Sequence, residues 1–455
     1  MSERQVTREL AAWVVGAKLD AIPADVQREG VRTFFNWVGC AVGGASHETV
    51  DRALAAVTPF SGKPTATIIG RGERLDALHA ALVNGISSHV LDYDDTHLKT
   101  IIHPAGPVAS ALLAVAELRP VTGRALLEAL ILGVEVECRI GNCVYPEHYD
   151  IGWHITGTAG VFGAAAAIGK LIGLDETKMV WALGTAATQS SGLREMFGTM
   201  CKSFHPGRAA QNGALAAFLA EAGFDSSLRG IEAPRGFANV LSTRHDYGEI
   251  LDGLGERWEA GLNSYKPFAC GIVIHPTIDG CIQLRDELGD AVSRIEAVAL
   301  TAHPLVLELT GKKEPKTGLE TKFSVFHAAA AALLRGDGSP SAFTDEAALD
   351  PSIVALRRKV EVTTDPACHE ASVDIVVTLA GGKKVEKRIE RTIGSHDVPL
   401  TDAQLVEKFE RQSALVIGKA QTEALMAAAW SLPDLKDAGE VARVSVPRTA
   451  RKAAV

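Results

Sequence analysis

Residues that could carry acid–base chemistry are concentrated in four short segments set among small, apolar residues. The segments are Leu91-Asp92-Tyr93-Asp94-Asp95-Thr96-His97 followed by His103-Pro104, Gly152-Trp153-His154-Ile155-Thr156-Gly157-Thr158, Lys202-Ser203-Phe204-His205-Pro206-Gly207-Arg208, and Lys266-Pro267-Phe268. Carboxylates, imidazoles and ammonium groups are costly to bury unless they are paired or put to use. Their concentration here therefore predicts one acid–base pocket for a small anionic substrate.

The first segment places a carboxylate near an imidazole. Asp92, Asp95 and Thr96 are spaced i, i+3 and i+4, which predicts that they share one side of a helix end. His103 follows a short connection, and Pro104 should end any local helix there. A carboxylate beside an imidazole commonly tunes a general acid or base. A solvated acidic helix end is the alternative interpretation of this pattern.

The second and third segments predict anion contacts near helix starts. His154 precedes a predicted helix start at Thr156, whose free N–H groups favour a carboxylate. The alternative is a core histidine with Thr156 as a plain N-cap. Lys202 and His205 precede a proline suited to the first turn of the next helix. Arg208 would lie in that turn, where a cation interacts unfavourably with the helix dipole. This cost suggests that Arg208 holds an anion. Ordinary surface charge is the alternative.

The character of the chain changes near Lys266. Before it, apolar residues recur at helical spacing, and after it short alternating segments typical of strands appear. The predicted helices span 76–91, 106–118, 124–144, 158–172, 176–192, 206–222, 275–288, 321–335, 401–412 and 417–430, with two more in 5–58 that break at Ile22-Pro23. The predicted strands span 294–302, 359–364, 372–379 and 384–393.

These elements predict a mainly α protein, with a large all-helical domain and a smaller α+β lid domain. At 455 residues the chain is long enough for two domains. We expect residues 1–262 and 398–455 to form a discontinuous helical domain and residues 263–397 to form the lid. Lys266 would then lie at the domain junction, where ligands often bind. The basic segment from Val444 to Val455 is expected to fray.

Composition limits the classes of function. The chain is 47% hydrophobic and 22% charged, as soluble globular proteins are, and its formal net charge of −9 argues against nucleic-acid binding. The seven cysteines are odd in number and form no Cys-x-x-Cys, which argues against a disulfide framework or an iron–sulfur cluster and favours the cytoplasm. No apolar run is long enough to span a bilayer and the start of the chain is not typical of a signal peptide, so no membrane partner is expected.

Taken together, the motifs resemble the MmgE/PrpD family over nearly the whole chain. The resemblance rests on Asp92-Tyr93-Asp94-Asp95-Thr96 with His103-Pro104, Gly152-Trp153-His154, Lys202 with His205-Pro206-Gly207-Arg208-Ala209-Ala210, Lys266-Pro267 and Lys322-Phe323-Ser324, in this order. The family includes 2-methylcitrate dehydratase, cis-aconitate decarboxylase and iminodisuccinate epimerase. The resemblance implies a metal-free, cofactor-free homodimer built from a helical domain and an α+β lid.

The resemblance also implies roles for individual residues. The implied catalytic residues are His103, His154, Asp92 and Lys202, and the implied substrate-binding residues are Thr96, Lys266, Arg208 and His205. The histidines at 103 and 154 would move protons, and the carboxylate would orient or tune one of them. The lysines and the helix start after His154 would hold substrate carboxylates. The expected activity is that of a cofactor-independent hydro-lyase or carboxy-lyase acting on a small di- or tricarboxylate, with epimerisation of a dicarboxylate as the alternative.

The chain departs from the family pattern at several positions. His97 follows Thr96, where the decarboxylase branch has a tryptophan, and the stretch between Thr96 and His103 is one residue longer. Asn36 stands where family members usually have an aspartate. These departures leave open which acid is used, and they leave open the choice among dehydration, decarboxylation and epimerisation.

Metal-dependent alternatives draw on the same segments. Asp94-Asp95-Thr96-His97 weakly resembles the aspartate-rich magnesium site of a terpenoid synthase, but no convincing second metal motif accompanies it. His97, His103 and His154 could instead be zinc ligands. A non-catalytic helical scaffold is the remaining alternative, and the presence of every implied proton-transfer residue argues against it.

Overall fold

A computed structural model describes residues 4–448, and helices make up most of it. The helices are α1 (Val6–Gly16), α2 (Ala24–Gly44), α3 (Glu48–Val57), α4 (Ala77–Val90), α5 (Ala105–Leu118), α6 (Gly123–Val144), α7 (Glu147–Asp150), α8 (Ile155–Leu171), α9 (Glu176–Ala187), α10 (Cys201–Glu221), α11 (Phe237–Leu241), α12 (Gly248–Leu251), α13 (His275–Leu288), α14 (Leu305–Thr310), α15 (Gly318–Thr321), α16 (Val325–Arg335), α17 (Asp345–Leu349), α18 (Pro351–Arg357), α19 (Asp402–Ile417), α20 (Lys419–Trp430) and α21 (Glu440–Val444). The strands are β1 (Ala66–Thr67), β2 (Arg74–Leu75), β3 (Asp95–His97), β4 (Asn263–Tyr265), β5 (Ile295–Ala302), β6 (Val360–Thr364), β7 (Val373–Leu379) and β8 (Lys384–Ile389).

The predicted fold class, mainly α with a smaller α+β part, is confirmed. Two helix predictions were wrong. Residues 5–58 hold three helices and not two, because the side chain of His47 caps a new helix, α3, by accepting a hydrogen bond from the Thr49 N–H. Helix α10 begins at Cys201, so that Pro206 lies inside the helix and not in its first turn. A proline there removes one backbone hydrogen bond, a cost that the packing of α10 must offset.

Helices α4, α5, α6, α8 and α10 pack closely because their contact faces carry small residues. A Cβ added to Gly85 on α4 would lie 2.5 Å from the Cα of Gly207 on α10, so this crossing requires glycine. Helices α19 and α20 return from the α+β part and pack on α2. There the rings of Phe409 and Trp430 lie 4.7 Å and 4.2 Å from the ring of Phe35.

The α+β part is built on a four-stranded sheet in the order β6-β5-β7-β8. Strand β6 runs parallel to β5, and the other two pairs are antiparallel. Alternate residues of β7 are buried, from Val373 to Leu379, which is the pattern of a sheet with one covered face. Helices α13 and α16 pack against this sheet and against each other.

A two-stranded ribbon that the sequence did not predict links the two parts. Strand β3 pairs antiparallel with β4, with Asp95 opposite Tyr265 and His97 opposite Asn263. Because β3 follows α4 and β4 precedes Lys266, the ribbon brings the polar segment after α4 next to that lysine. It therefore joins two of the four predicted chemical segments.

No helix within residues 4–448 is long and apolar enough to cross a membrane. Residues 1–3 and 449–455 are outside the described part of the chain, and most of the basic terminal segment that we expected to fray is among them. The domain boundaries at 262 and 398 stay predictions.

Candidate active site

The ends of several elements bring the predicted catalytic segments to one cavity. Asp92 follows α4, His103 precedes α5, His154 is the N-cap of α8, Lys202 lies in the first turn of α10, and Lys266 follows β4. All five side chains line one small cavity. The sequence-based prediction that His154 directly precedes a helix is confirmed, since α8 begins at Ile155.

Asp92 forms a buried ion-pair cluster with two lysines. Its Oδ1 lies 3.0 Å from the Nζ of Lys202 and also accepts a short hydrogen bond from the Nζ of Lys266. Burial opposes ionisation of Asp92, but the two ammonium groups outweigh it and hold the pKa of Asp92 well below its usual range. The resemblance implied that Asp92 tunes a histidine; in the structure its hydrogen-bonding partners are lysines.

The expectation that Asp92, Asp95 and Thr96 share one side of a helix end was wrong. Helix α4 has already ended at Val90, and Asp92 adopts a left-handed conformation with φ of 51°. Asp95 and Thr96 belong to β3, so their side chains point to opposite faces of the ribbon. Asp95 accepts hydrogen bonds from the Ala105 N–H and from the Asn263 amide, which fixes the start of α5 against the ribbon.

His103 is held in one tautomer by its surroundings. Its Nδ1 lies 2.8 Å from the Asp95 carbonyl oxygen, which can only accept, so Nδ1 carries the proton in the neutral ring. The Thr96 hydroxyl lies 3.2 Å from the same nitrogen, and the His103 backbone N–H donates to the Thr156 hydroxyl. Burial, reinforced by Lys266, holds the pKa of His103 well below the usual value. The neutral ring therefore presents the Nε2 lone pair of a general base.

His154 is paired with His205. The two Nδ1 atoms lie 2.8 Å apart, so one ring donates and the other accepts, which makes the two tautomers complementary. Burial, with His205 and Lys202 nearby, holds the pKa of His154 well below its usual value, and burial lowers the pKa of His205 to about 4. The family resemblance implied that His205 binds substrate. In the structure His205 contacts His154 and does not itself line the cavity.

A third histidine, His89 in the last turn of α4, belongs to the same cluster, and sequence reasoning missed it. Its Nδ1 lies 2.6 Å from the Asp94 carboxylate, and its Nε2 has no hydrogen-bond partner among the described residues. The His89 and His103 rings are 4.8 Å apart. One ring nitrogen from each of His89, His103 and His154 lies within 4.8 Å of the others, so these three could together ligate a metal ion.

The zinc set considered from the sequence, His97 with His103 and His154, is not assembled. His97 has both ring nitrogens engaged elsewhere, Nδ1 with the Thr100 hydroxyl at 2.7 Å and Nε2 with the Glu259 carboxylate at 3.0 Å. These contacts fix the turn after β3, so the histidine that departs from the family pattern has a structural role.

Arg208 lies apart from the cavity. Its side chain is exposed and its guanidinium donates to the Gln211 side chain one turn further along α10. The shift of the helix start to Cys201 explains the difference, because it moves Arg208 from the first turn to the third. The predicted substrate contact of Arg208 has no support in this geometry.

Two buried lysines that were not among the predicted site residues anchor the loop that carries Asp92. Lys322 donates to the Leu91 carbonyl at 2.6 Å and to the Ala269 carbonyl at 2.8 Å. Lys408 on α19 donates to the Tyr93 carbonyl at 2.6 Å and to the Asn36 side chain at 2.7 Å. The Asn36 departure from the family pattern is thus part of an anchor behind the site.

Aromatic rings flank the ammonium group of Lys202. Its Nζ lies 5.4 Å from the ring centre of Phe197 and 5.5 Å from that of Phe323. Such contacts stabilise a cation that has left water. Neutral imidazoles and two ammonium groups around one small cavity are the kinds of group that acid–base chemistry on an anion requires.

The chain belongs to the MmgE/PrpD family. Residues 8–250 match the MmgE/PrpD N-terminal domain and residues 268–432 match the MmgE/PrpD C-terminal domain. The resemblance inferred from the motifs is therefore confirmed.

Curated relatives extend over almost the full length of the chain. It is 27% identical to a cis-aconitate decarboxylase of Homo sapiens, across 96% of this chain and 94% of that protein. It is 25% identical to a cis-aconitate decarboxylase of Aspergillus terreus, across 95% and 94%. It is 23% identical to a 2-methylcitrate dehydratase of Cupriavidus necator, across 86% of each chain. Similar relatives thus include both a decarboxylase and a dehydratase.

Proposed function

We propose that this protein is a cofactor-independent lyase that acts on a small di- or tricarboxylate by general acid–base chemistry. One observation carries the proposal: the neutral His103 ring presents its Nε2 to a cavity that also holds the ammonium groups of Lys202 and Lys266. A proton acceptor beside fixed positive charge suits a reaction in which charge builds up next to a carboxylate. The names of the relatives, decarboxylase and dehydratase, are consistent with such chemistry.

The residues divide between charge stabilisation and proton transfer. Lys202 and Lys266 pair with substrate carboxylates and stabilise the enolate-like charge. In a dehydration, His103 accepts the carbon-bound proton at Nε2, while His154, which takes up a proton with the anionic substrate, donates it to the departing hydroxide and returns to its neutral form, so that an alkene and water form. In a decarboxylation, the bond to one carboxylate breaks, carbon dioxide leaves, and the electron pair left behind takes a proton from an imidazolium that formed when the anionic substrate bound.

Proton NMR of the purified protein with four acids tests the proposal. The acids are 2-methylcitrate, citrate, cis-aconitate and iminodisuccinate, each incubated with protein treated with EDTA and then freed of it. Conversion of one acid identifies the reaction, and racemisation of iminodisuccinate would establish the epimerase alternative. No conversion of any of the four would contradict a lyase or epimerase acting on the acids of the relatives.

Variants at the cavity test the residue assignment. His154→Ala and Lys202→Ala should each abolish turnover while leaving the circular dichroism spectrum and the oligomeric state unchanged. Lys419→Ala is the matched control, because this lysine is 74% exposed on α20. Full activity in both cavity variants would refute the assignment.

The EDTA-treated protein also tests whether turnover depends on a metal ion. Turnover after EDTA treatment supports the cofactor-independent mechanism. Loss of turnover that zinc restores would instead assign His89, His103 and His154 as ligands. We also propose that the protein is a cytoplasmic homodimer, and analytical ultracentrifugation measures its oligomeric state.

A further inference from the structure

The cavity has two unlike walls. One wall carries the groups described above, and among the described lining residues its charged side chains are Asp92, Lys202 and Lys266. The rest of the lining is largely hydrocarbon: Ile101, Ile272, Val273 and Leu309 form an apolar wall, while the rings of Phe197 and Phe323 lie beside Lys202. A substrate that fills the cavity must therefore be polar at one end and apolar at the other.

The polar wall has one ammonium group for each of two carboxylates and none for a third. It offers two ammonium groups, and Asp92 already takes part of their charge. Lys322 does not add to this count, because its ammonium group is turned to two backbone carbonyls and does not line the cavity. Tyr149 lines the cavity as a neutral phenol, since burial raises its pKa. A third carboxylate would find no further ammonium group among the described lining residues, and against the hydrocarbon wall an unpaired charge is costly.

The apolar wall offers little to a third carboxylate. Thr310 is the one hydroxyl-bearing aliphatic residue among the described lining residues, and its hydroxyl donates to the Val306 carbonyl within α14. Gly271 lines the cavity too, but its backbone N–H donates to the Lys322 carbonyl. Neither group is therefore free to bind an anion on this side.

The apolar wall also continues outward. Ile101, Ile272 and Val273 line both this cavity and a wider outer cavity, whose lining also includes Leu98 and the charged Lys99 and Glu370. Ile101 holds a left-handed conformation, with φ of 59°, which is unfavourable for a β-branched residue. The surrounding fold therefore enforces the position of its aliphatic side chain at the junction of the two cavities.

We propose that the substrate is a dicarboxylate that carries an apolar arm, with its carboxylates at Lys202 and Lys266 and its arm along Ile272, Val273 and Leu309. This inference rests on the proposed function and narrows its substrate class. Tricarboxylates, which carry a charged group in place of the arm, are the poorer ligands. The arm can extend towards the outer cavity past Ile101, Ile272 and Val273, which line both cavities.

A pair of acids of matched shape tests the inference by calorimetry on the wild-type protein. In cis-aconitate a carboxymethyl group is attached to a maleate unit, and in 2-isobutylmaleate an uncharged isobutyl group of similar shape takes its place. We expect 2-isobutylmaleate to bind at least ten-fold more tightly. Tighter binding of cis-aconitate would overturn the inference and leave the proposed function intact. Binding of neither acid would overturn the inference, and the NMR panel would then decide the proposed function on its own.

A substitution on the apolar wall gives a second, independent readout. Ile272 is partly exposed, so Ile272→Lys can place an ammonium group on this wall without burying it fully. We expect the ratio of the two dissociation constants to shift at least ten-fold towards cis-aconitate. Leu415→Lys is the control, because Leu415 is 90% exposed on α19 and its substitution should leave the ratio unchanged. An unchanged ratio in Ile272→Lys would contradict the assignment of the arm to this wall.

Discussion

The buried side chain of Lys408 anchors the loop that carries Asp92. Its ammonium group donates to the Tyr93 carbonyl and to the Asn36 side chain, and it lies 4.2 Å from the centre of the Tyr93 ring. Lys408→Met keeps the length of the side chain and removes its charge. Two buried acceptors next to the Asp92 loop then lose their ammonium donor and keep only the weak donor of the Cys40 thiol.

The expected loss of stability follows from these two acceptors. Leaving a buried acceptor fully unpaired costs about 1–3 kcal/mol, so about 2–6 kcal/mol is the upper limit for two acceptors that keep a weak thiol donor. Part of this is recovered, because burial lowers the pKa of Lys408 and the methionine no longer buries an ammonium group. We expect the free energy of unfolding to fall by about 2–4 kcal/mol. We also expect kcat/KM to fall at least ten-fold, on the order of what a small displacement of a catalytic group costs.

Urea denaturation and steady-state kinetics measure the two effects. Lys419→Met is the control, and Asn36→Leu completes a double-mutant cycle with Lys408→Met. The two substitutions should be non-additive by about 1 kcal/mol or more, because each removes the other's partner. The anchoring role would be refuted if the effects of the two substitutions on the free energy of unfolding were additive. It would also be refuted if the Lys408→Met variant were as stable as Lys419→Met.

Three further predictions concern the pairing, titration and packing of particular residues. His205→Phe should lower kcat about ten-fold or more with little change in KM, because it removes the tautomer partner of His154 without touching the cavity; an equal rise in KM would contradict this. Burial lowers the pKa of His275 to about 3, whereas its pKa in the unfolded chain is near 6.5. Protonation of His275 in the unfolded chain therefore favours unfolding as the pH falls below 6.5. Between pH 6.5 and 5, wild type should lose about 2 kcal/mol more stability than His275→Gln in urea titrations. Gly85→Ala should lower the melting temperature strongly, because its Cβ meets the backbone of α10, whereas Gly16→Ala, with nothing within 4 Å, should not.

The elements that could be predicted are those with a strong local signal. The helical repeat placed α4, α5, α6 and α13 within a residue or two, and alternation placed β5 and β7. Asp92, His103, His154, Lys202 and Lys266 were found because their residue types narrow the possible chemistry, and the structure brings all five to one cavity.

Most of the missed features depend on partners that are distant in sequence. Strands β3 and β4 have three residues each and no apolar alternation, so their pairing across more than 160 residues left no local pattern. Lys408 lies 372 residues from Asn36 and occurs in an amphipathic helix, where a lysine normally indicates the solvent face. His89 was hidden in an apolar helical run, and Asp94, five residues later, was treated as part of the acidic segment and not recognised as its partner.

The position of Asp92 depends on both parts of the fold. Lys322, next to α16 in the α+β part, holds the Leu91 carbonyl, while Lys408, on the helix that returns to α2, holds the Tyr93 carbonyl. The carbonyls on either side of Asp92 are thus fixed from opposite sides, and its left-handed backbone is sustained by tertiary contacts and not by local preference. A displacement of the α+β part would move the Leu91 carbonyl and, through Asp92, the ammonium groups of Lys202 and Lys266. The charge in the cavity is therefore coupled mechanically to the packing of the two parts.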